Sequence, residues 1–329
     1  MRSQKAIILS LIAACLLLCS CSTGNVSSSR QGIYFDTVVS VEIYGAPKDS
    51  AGSILDACMD MCDRYQKLFD KNTPSSDIAK INSSDSSPVK VDHETALMLD
   101  KALAYSDISD VFDITIAPVY DLWDFHEGGE NIPDDNSIGE ALTHVGHNKI
   151  TVDIKNDTVT SNGAKVDAGG AAKGYIADMI CEYLLSCQIS GAIVDMGGDM
   201  RIIGTKPDGS LFNIGINDPF SDGIYAALTV SDRSVATSGT YERCFTKDGT
   251  TYHHILDPHT GYPADTDITS VTVICDDAID ADCLCTLSIL LGSNEALKLI
   301  EDTDDTEAVF ILNDKTCIYT SGAGSYVRQ

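Results

Sequence analysis

The chain has 329 residues, 43% of them hydrophobic, and carries 49 acidic against 22 basic residues, so its formal net charge at pH 7 is −27. This length suffices for one large domain or two closely packed lobes with a substantial core. So negative a charge argues against nucleic acid or an anionic membrane surface as partner, and a phosphate ligand must be held by backbone amides, a lysine or a metal ion.

The first 21 residues have the pattern of an export signal. Arg2 and Lys5 precede an apolar run that is too short to span a bilayer and ends at a processing site. That end, LCSC, resembles a bacterial lipobox with Cys21 as the lipidated residue. We therefore predict a protein anchored by lipid to the extracytoplasmic face of the cell membrane, with residues 22–32 as a flexible tether and 33–329 as the folded domain.

Hydrophobic periodicity predicts the elements of the folded domain in chain order. It predicts helices over residues 50–69, 94–105, 171–187, 280–291 and 294–301. It predicts strands over residues 33–44, 192–198, 213–216, 225–230, 271–275, 307–312 and 316–320, and a hairpin over 149–160. Strand pairs outnumber regular strand–helix alternations, so we predict an α+β fold.

The cysteines do not suggest a disulfide framework. Nine cysteines follow Cys21, an odd number that cannot pair completely, and most lie in apolar periodic runs where cysteine acts as a small core residue. We therefore expect free thiols and a reducing environment.

A glycine pair marks the stretch VDAGGAAKGY, residues 166–175, where a helix begins. Glycine permits a tight strand-to-helix turn and close packing, which is the structural explanation. The functional alternative is a cradle, because glycines let a ligand approach the backbone and a helix N-terminus offers unpaired N–H groups to phosphate. These ten residues do not decide between the two.

Two loops combine aromatic, histidine and proline residues. Trp123, the only tryptophan, follows Pro118 and is either a buried structural residue or part of a loop that flanks a flat heterocycle. His253 and His254 precede two turns, and the pair is as consistent with a structural as with a catalytic role. A histidine is nevertheless the best available base for a hydroxyl at neutral pH.

Asp282 and Thr286 are four residues apart in a predicted helix and therefore share one face. One interpretation is an acid favoured by the helix dipole beside an ordinary threonine. The other is a site for a hard metal ion, because carboxylate, hydroxyl and backbone carbonyl oxygens suit Mg²⁺, which usually also contacts substrate phosphates.

Together these stretches resemble the ApbE-type FAD:protein FMN transferases over nearly the whole mature chain. In the order of the family, the matching segments are FDTVVSVEIYG, APVYDLWDF, VDAGGAAKGYIAD, IVDMGGDMRIIG, GINDP, SVATSGTYERCF, YHHILDPHTGYP and ADCLCT. The resemblance implies an α+β body of mixed or antiparallel sheets with flanking helices, in which FAD binds in a cleft between two lobes.

The resemblance also implies the roles of individual residues. The FAD site would comprise Phe35, Asn72, Leu122, Trp123, Asp124, Asp167, Lys173 and Leu256. The metal ligands would be Asp282, Thr286 and the carbonyls of Gly170 and Cys285, and His254 would be the base for the acceptor hydroxyl. Phe35 replaces a usual methionine, and Cys285 a usual alanine.

The implied reaction moves the FMN moiety of FAD onto a Thr or Ser hydroxyl of another exported protein and releases AMP. Positioning and charge neutralisation by Mg²⁺ would do most of the work, and Mn²⁺ or Ca²⁺ would satisfy similar ligands. The alternatives are a Mg²⁺-dependent pyrophosphatase that cleaves FAD to FMN and AMP, and a lipoprotein that binds FAD without catalysis.

Asn72 bears on the choice between transfer and hydrolysis. Relatives commonly have Tyr or Trp at this position, where an aromatic ring could stack on the nucleotide and exclude water. Asn offers a polar edge that could hold a water molecule, which favours hydrolysis. The alternative is a loop one residue out of register, in which Asn72 only caps a turn.

Overall fold

The computed structural model describes residues 27–125 and 130–328. The predicted signal segment, Cys21 and residues 22–26 of the predicted tether lie outside the described residues. Within the described parts, none of the helices combines the length and the apolar character needed to cross a membrane. All nine cysteines that follow Cys21 are described, and each is a free thiol, as expected from their number and pattern.

The described residues form eight α-helices and sixteen strands. The helices are α1 (Lys48–Phe69), α2 (Asp77–Ser83), α3 (His93–Ile108), α4 (Ala117–Trp123), α5 (Asp135–Leu142), α6 (Ala172–Ser186), α7 (Ala278–Leu291) and α8 (Ser293–Glu301). The strands are β1 (Ser27–Tyr34), β2 (Thr37–Tyr44), β3 (Val89–Lys90), β4 (Thr151–Asp153), β5 (Thr158–Thr160), β6 (Gly191–Asp195), β7 (Met200–Gly204), β8 (Phe212–Asn217), β9 (Ile224–Val230), β10 (Ser234–Gly239), β11 (Cys244–Lys247), β12 (Thr250–His253), β13 (Ile268–Cys275), β14 (Glu307–Leu312), β15 (Cys317–Tyr319) and β16 (Val327–Arg328).

The N-terminal hairpin corrects two predictions. β1 pairs with β2 in antiparallel register from Ser27 opposite Tyr44 to Tyr34 opposite Thr37. Residues 33–44 are therefore not one strand, because Phe35 and Asp36 adopt φ of 51° and 58° and reverse the chain. The predicted tether is likewise wrong from residue 27 onward, since that part of it is a strand.

An eight-stranded sheet organises the domain, in the order β1-β2-β6-β7-β10-β13-β14-β15, with every neighbouring pair antiparallel. Three small sheets, β16-β9-β8, β3-β5-β4 and β11-β12, complete the strands. Helices alternate irregularly with these strands, which confirms the predicted α+β class. The predicted helices are all present, and the helices that periodicity missed are α2, α4 and α5, each of only seven or eight residues.

Four hydrophobic clusters fill the domain. One includes residues of α6 and α7, a second includes residues of α7 and α8, and both also contain residues of the large sheet; a third lies between that sheet and β8–β9. The fourth is an aromatic cluster built around Trp123, Phe125 and Phe245, which belong to α4, the residues after it and β11. This aromatic cluster is separate from the other three.

Candidate functional site

The centre of the site is a buried set of charges between α6, α7 and the β6–β7 loop. The Asp282 carboxylate is 3% exposed, accepts a hydrogen bond from the Gly174 amide at 3.1 Å through Oδ2, and lies 3.4 Å from Lys173 Nζ through Oδ1. Lys173 Nζ also pairs with Asp199 Oδ2, and the Asp199 side chain is 4% exposed. We call Lys173, Asp199 and Asp282 the charged cluster.

Close packing of α6 on α7 creates this geometry. A Cβ atom on Gly174 would lie 2.3 Å from the carbonyl oxygen of Ala278, so only glycine lets the two helices approach so closely. Asp178, one turn after Gly174, accepts hydrogen bonds from the amides of Ala278 at 2.8 Å and Ile279 at 3.0 Å. Each helix thus carries an aspartate that binds the backbone of the other.

The three charges do not balance. Burial lowers the pKa of Lys173, but the carboxylates of Asp199 and Asp282 outweigh it and raise that pKa, so the ammonium stays charged at neutral pH. Burial and the charge of Asp199 raise the pKa of Asp282, although Lys173 opposes them. One ammonium therefore faces two carboxylates, and a bound cation would relieve the excess negative charge.

The predicted metal ligands meet at this cluster. A Cβ atom on Gly170 would lie 3.5 Å from Thr286 Oγ1, so the glycine turn lies next to this hydroxyl of α7. The Thr286 hydroxyl has no hydrogen-bond partner among the described residues. The Cys285 thiol donates to the Ala236 carbonyl at 3.2 Å and so faces the sheet, which leaves only its backbone carbonyl as a ligand. One carboxylate, one hydroxyl and carbonyls fit a hard cation such as Mg²⁺.

The helix boundary counts against one interpretation of Asp282, that of an acid favoured by the helix dipole. α7 begins at Ala278, two residues before the predicted start, and the acid of its first turn is Asp280. Asp282 therefore lies in the second turn, beyond the position at which the helix dipole favours an acid. In the described chain no group of three or more His, Cys, Asp or Glu side chains could hold a metal, so hydroxyl and carbonyl oxygens must complete any coordination here.

Asp167 shapes the glycine turn. Its Oδ1 accepts a hydrogen bond from the Gly169 amide at 2.8 Å, and its backbone amide donates to the Ile114 carbonyl at 2.7 Å. A Cβ atom on Gly169 would lie 3.0 Å from that same Oδ1, so any other residue here would push the carboxylate slightly away from the turn. The turn is therefore tight, and it also presents a carboxylate whose side chain is 19% exposed.

Leu122 and Asp124, which the resemblance assigns to the FAD site, line a cavity of about 320 Å³. The other lining residues are Tyr120, Asp121, Phe125 and Asn131. Asp124 ends α4 in the left-handed conformation, with φ of 51°. Trp123 does not share this cavity: its ring is fully buried, its Nε1 donates to the Gly261 carbonyl at 2.8 Å, and it stacks on Phe125. The buried ring fits the structural explanation of this tryptophan, and its place in the FAD site stays a prediction.

The remaining predicted FAD residues differ in exposure. Leu256 is buried in the aromatic cluster and pairs with Pro263. Phe35 is half-buried in the β1–β2 turn, and its carbonyl lies 3.5 Å from Arg243 Nη2. Asn72 is exposed, and its backbone amide donates to Asp70 Oδ1 at 2.8 Å. Asn72 thus belongs to a capped turn, as the structural alternative for this position expects.

The two adjacent histidines have different surroundings. His253 is 6% exposed, its Nε2 lies 3.1 Å from the Ala264 carbonyl, and this places it in the core. His254 is half-buried, and its Nδ1 lies 3.2 Å from the Glu242 carbonyl, so Nδ1–H donates and Nε2 is left to accept a proton. Burial and the charge of Arg243 lower the pKa of His254 to about 3. His254 is therefore neutral at pH 7 but weakly basic without an anionic ligand.

The structure brings together Lys173, Gly170, Asp282 and Thr286 as the sequence predicted, and it adds residues that sequence reasoning missed. Asp199 completes the charged cluster. It lies in the IVDMGGDM segment, which is among the segments that carry the resemblance, so that segment could have indicated Asp199 as a site residue. Lys71 lies 3.2 Å from Asp167 Oδ2 and also pairs with Asp121. Nothing in the local pattern of FDKNTP distinguishes Lys71 from a surface lysine.

Three known proteins that match this chain belong to one family. The model of the ApbE family matches residues 35–310. A Klebsiella pneumoniae protein named FAD:protein FMN transferase is 34% identical over 264 residues, covering 78% of this chain and 82% of that protein. A Treponema pallidum protein of the same name is 31% identical over 320 residues, covering 91% and 88%. The crystal structure of the ApbE protein from Thermotoga maritima superposes with a TM-score of 0.84 at 33% identity, covering 92% of this chain and all of that one.

Proposed function

Because the chain belongs to the ApbE family, we propose that this transferase moves the FMN moiety of FAD to a Thr or Ser hydroxyl of an exported acceptor protein and releases AMP. The charged cluster carries this proposal. It places a protonated lysine and two buried carboxylates beside a glycine turn and an unpartnered threonine hydroxyl. Such a site can hold a diphosphate even though the protein as a whole is strongly acidic.

The chain's own residues account for charge and proton transfer. The acceptor hydroxyl oxygen forms a bond to the phosphorus of the FMN half, and the bond from that phosphorus to the bridging oxygen breaks, so that oxygen leaves with AMP. The proton of the hydroxyl passes to His254 Nε2, which is free because Nδ1–H is bound to the Glu242 carbonyl. The negative phosphates raise the basicity of His254, and Lys173 offsets the charge of the leaving group.

A divalent cation fits this mechanism. Asp282, Thr286 and the carbonyls of Gly170 and Cys285 would hold it, with Mg²⁺ favoured by their oxygen chemistry and Mn²⁺ or Ca²⁺ also suited. When bound it supplies positive charge to the diphosphate oxygens. The Thr286 hydroxyl, which has no hydrogen-bond partner among the described residues, would then be satisfied.

The location of the reaction follows from the N-terminal segment. We propose that the protein is exported and anchored to the membrane through a lipid on Cys21, so that it modifies acceptors on the extracytoplasmic face. Mass spectrometry of the protein extracted from membranes should find a lipid on Cys21, and Cys21→Ser should release the protein from the membrane. A Cys21→Ser protein that stays in the membrane fraction would contradict the anchor.

A second candidate, hydrolysis of FAD to FMN and AMP, is favoured by the exposed Asn72. To separate the two, the full-length protein is incubated with FAD and Mg²⁺, with or without an acceptor domain that contains a modifiable threonine. We expect one AMP for each covalent FMN on the acceptor, and loss of both with EDTA or with the threonine changed to alanine.

The outcomes distinguish three functions. Free FMN and AMP in equal amounts without acceptor would assign hydrolysis as the main activity. Intact FAD after long incubation with metal and acceptor would leave only a binding protein. AMP that appears only with the acceptor supports the transferase.

A further inference from the structure

A single lysine joins helix α4 to the glycine turn of the proposed FAD site. Lys71 Nζ pairs with Asp121 of α4, which lines the 320 Å³ cavity, and lies 3.2 Å from Asp167 Oδ2 in the glycine turn. The Lys71 side chain is 14% exposed, and its ammonium also lies 4.9 Å from the centre of the Tyr120 ring. No role in substrate binding follows for Lys71 from the sequence.

The backbone around Lys71 is held in place. Asp70, which follows α1, accepts hydrogen bonds from the Asn72 amide at 2.8 Å and from Thr73 Oγ1 at 2.9 Å. This capped turn directs Lys71 inward and leaves Asn72 exposed at the surface. The contacts of this loop with α4 and with the glycine turn are therefore made by Lys71, whereas Asn72 is exposed.

The charge of Lys71 matters because two carboxylates approach it, Asp121 from helix α4 and Asp167 from the glycine turn. Asp121 and Asp167 would repel each other and an incoming diphosphate if no cation lay between them. Asp121 is 63% exposed, so water screens its part of the interaction, whereas Asp167 is 19% exposed and gains more from the contact. The ammonium therefore fixes Asp167 chiefly and α4 to a lesser degree.

We propose that Lys71 is a positioning residue for FAD, which ties the C-terminal end of α4, residues 121–124, to the turn of residues 167–170 and so sets the affinity for FAD without taking part in the transfer step. This inference rests on the proposed function, because the two elements are assigned to FAD by it. The chemistry recognised is that of a dinucleotide whose polar groups meet the Asp167 carboxylate.

Fluorescence titration of FAD into the full-length protein, with and without Mg²⁺, tests the proposal. We expect Lys71→Met to weaken FAD binding about tenfold or more, the range typical of hydrogen bonds to charged groups. Lys71→Arg should stay within about threefold of the wild type, because it keeps the charge. Lys67→Met, which removes an exposed lysine of α1 with no partner in the described chain, is the matched control and should bind normally. With saturating FAD, the kcat of Lys71→Met should lie within about twofold of the wild type.

A double variant shows whether Lys71 acts through Asp167. If it does, Lys71→Met in an Asp167→Asn background should cost little further affinity. Should Lys71→Met fail to fold, Asp121→Asn remains informative, since it leaves the Lys71–Asp167 contact in place and should weaken binding only about twofold to threefold. Normal FAD affinity in folded Lys71→Met, or independent effects in the double variant, would overturn the inference. A wild-type protein that binds no FAD would instead overturn the proposed function.

Discussion

The charged cluster and the Lys71 contact are both ion pairs of one lysine with two aspartates, but they differ in how they are held. In the charged cluster, Asp199 and Asp282 are 4% and 3% exposed, and Lys173, Asp282 and the Gly174 amide belong to helices α6 and α7. In the Lys71 contact, Asp121 is 63% exposed and belongs to the short helix α4, whereas Lys71 and Asp167 belong to loops. Charges held by two packed helices cannot move independently, whereas charges held by loops can.

This difference suggests that the two sets of ion pairs have different roles, one in substrate binding and one in the chemical step. Water and salt screen the Asp121 side of the Lys71 contact, which makes this contact suited to positioning a substrate that must enter and leave. The charged cluster lies in a medium of low dielectric constant, where each charge has a large effect and a missing partner is costly. Changes in the charged cluster should therefore alter the chemical step, and changes in the Lys71 contact should alter binding.

Asp282→Asn gives the strongest test of these different roles. We expect turnover to fall by about 10³-fold or more, because the amide leaves the proposed metal site without its carboxylate. FAD affinity without metal should change by less than about threefold. Steady-state AMP release and fluorescence titration measure the two quantities. Asp280→Asn, in the same helix, is the control and should retain near-normal turnover; equal losses in both variants would mean that α7 as a whole had been disturbed.

Gly174→Ala and Gly170→Ala separate helix packing from the site itself. A Cβ atom on Gly174 meets backbone at 2.3 Å, so we expect a loss of about 3 kcal/mol or more in the free energy of unfolding. A Cβ atom on Gly170 has its nearest neighbour, Phe112 Cε2, at 3.4 Å, so stability should fall by less than about 1 kcal/mol. Turnover of Gly170→Ala should still drop, because the new methyl faces the Thr286 hydroxyl. Urea unfolding monitored by circular dichroism compares the two, and equal stability would refute the close helix contact.

His254→Gln examines the proposed base. We expect turnover at pH 7 to fall by about 10²-fold, the effect of removing a positioned base. Unaltered turnover at every pH would remove His254 from the mechanism.

The lowered pKa of His254 predicts an effect on stability as well. The folded state binds its proton only near pH 3, whereas the unfolded state binds it near 6.5, so acid favours unfolding as the pH falls from 6.5 towards 3. Over that range His254→Gln should lose less stability than the wild type in urea unfolding. Equal losses would show that His254 does not have a lowered pKa.

Asn72→Tyr should have the smallest effect. Asn72 is exposed and the amide that caps the turn is backbone, so the substitution keeps the turn. A tyrosine could cover the bound nucleotide and reduce free FMN release without acceptor by about threefold. Chromatography of the flavin products measures this, and Asn72→Ser is the control for loss of the amide alone. Unchanged hydrolysis in the tyrosine variant would leave Asn72 a turn residue only.

Local patterns in the sequence predicted most of the fold and part of the site. The long helices and the metal-ligand spacing of Asp282 and Thr286 were accessible because periodicity places residues on a shared face. Helix α4 could not be predicted, because seven residues give too few helical repeats. Strand β10 could not be predicted either, because SVATSG lacks apolar alternation. The contact of Lys71 with Asp167 joins residues far apart in the chain, and only the tertiary structure shows it.

The N-terminal hairpin has a consequence for the reach of the enzyme. Because β1 begins at Ser27, only residues 22–26 separate the domain from the lipid proposed on Cys21. Five extended residues span at most about 18 Å. The folded domain would then rotate about its lipid anchor and stay within a thin layer above the bilayer. An acceptor threonine would be modified only if its own domain brings it into that layer. The length of residues 22–26 would thus restrict the acceptors to those whose threonine lies close to the membrane.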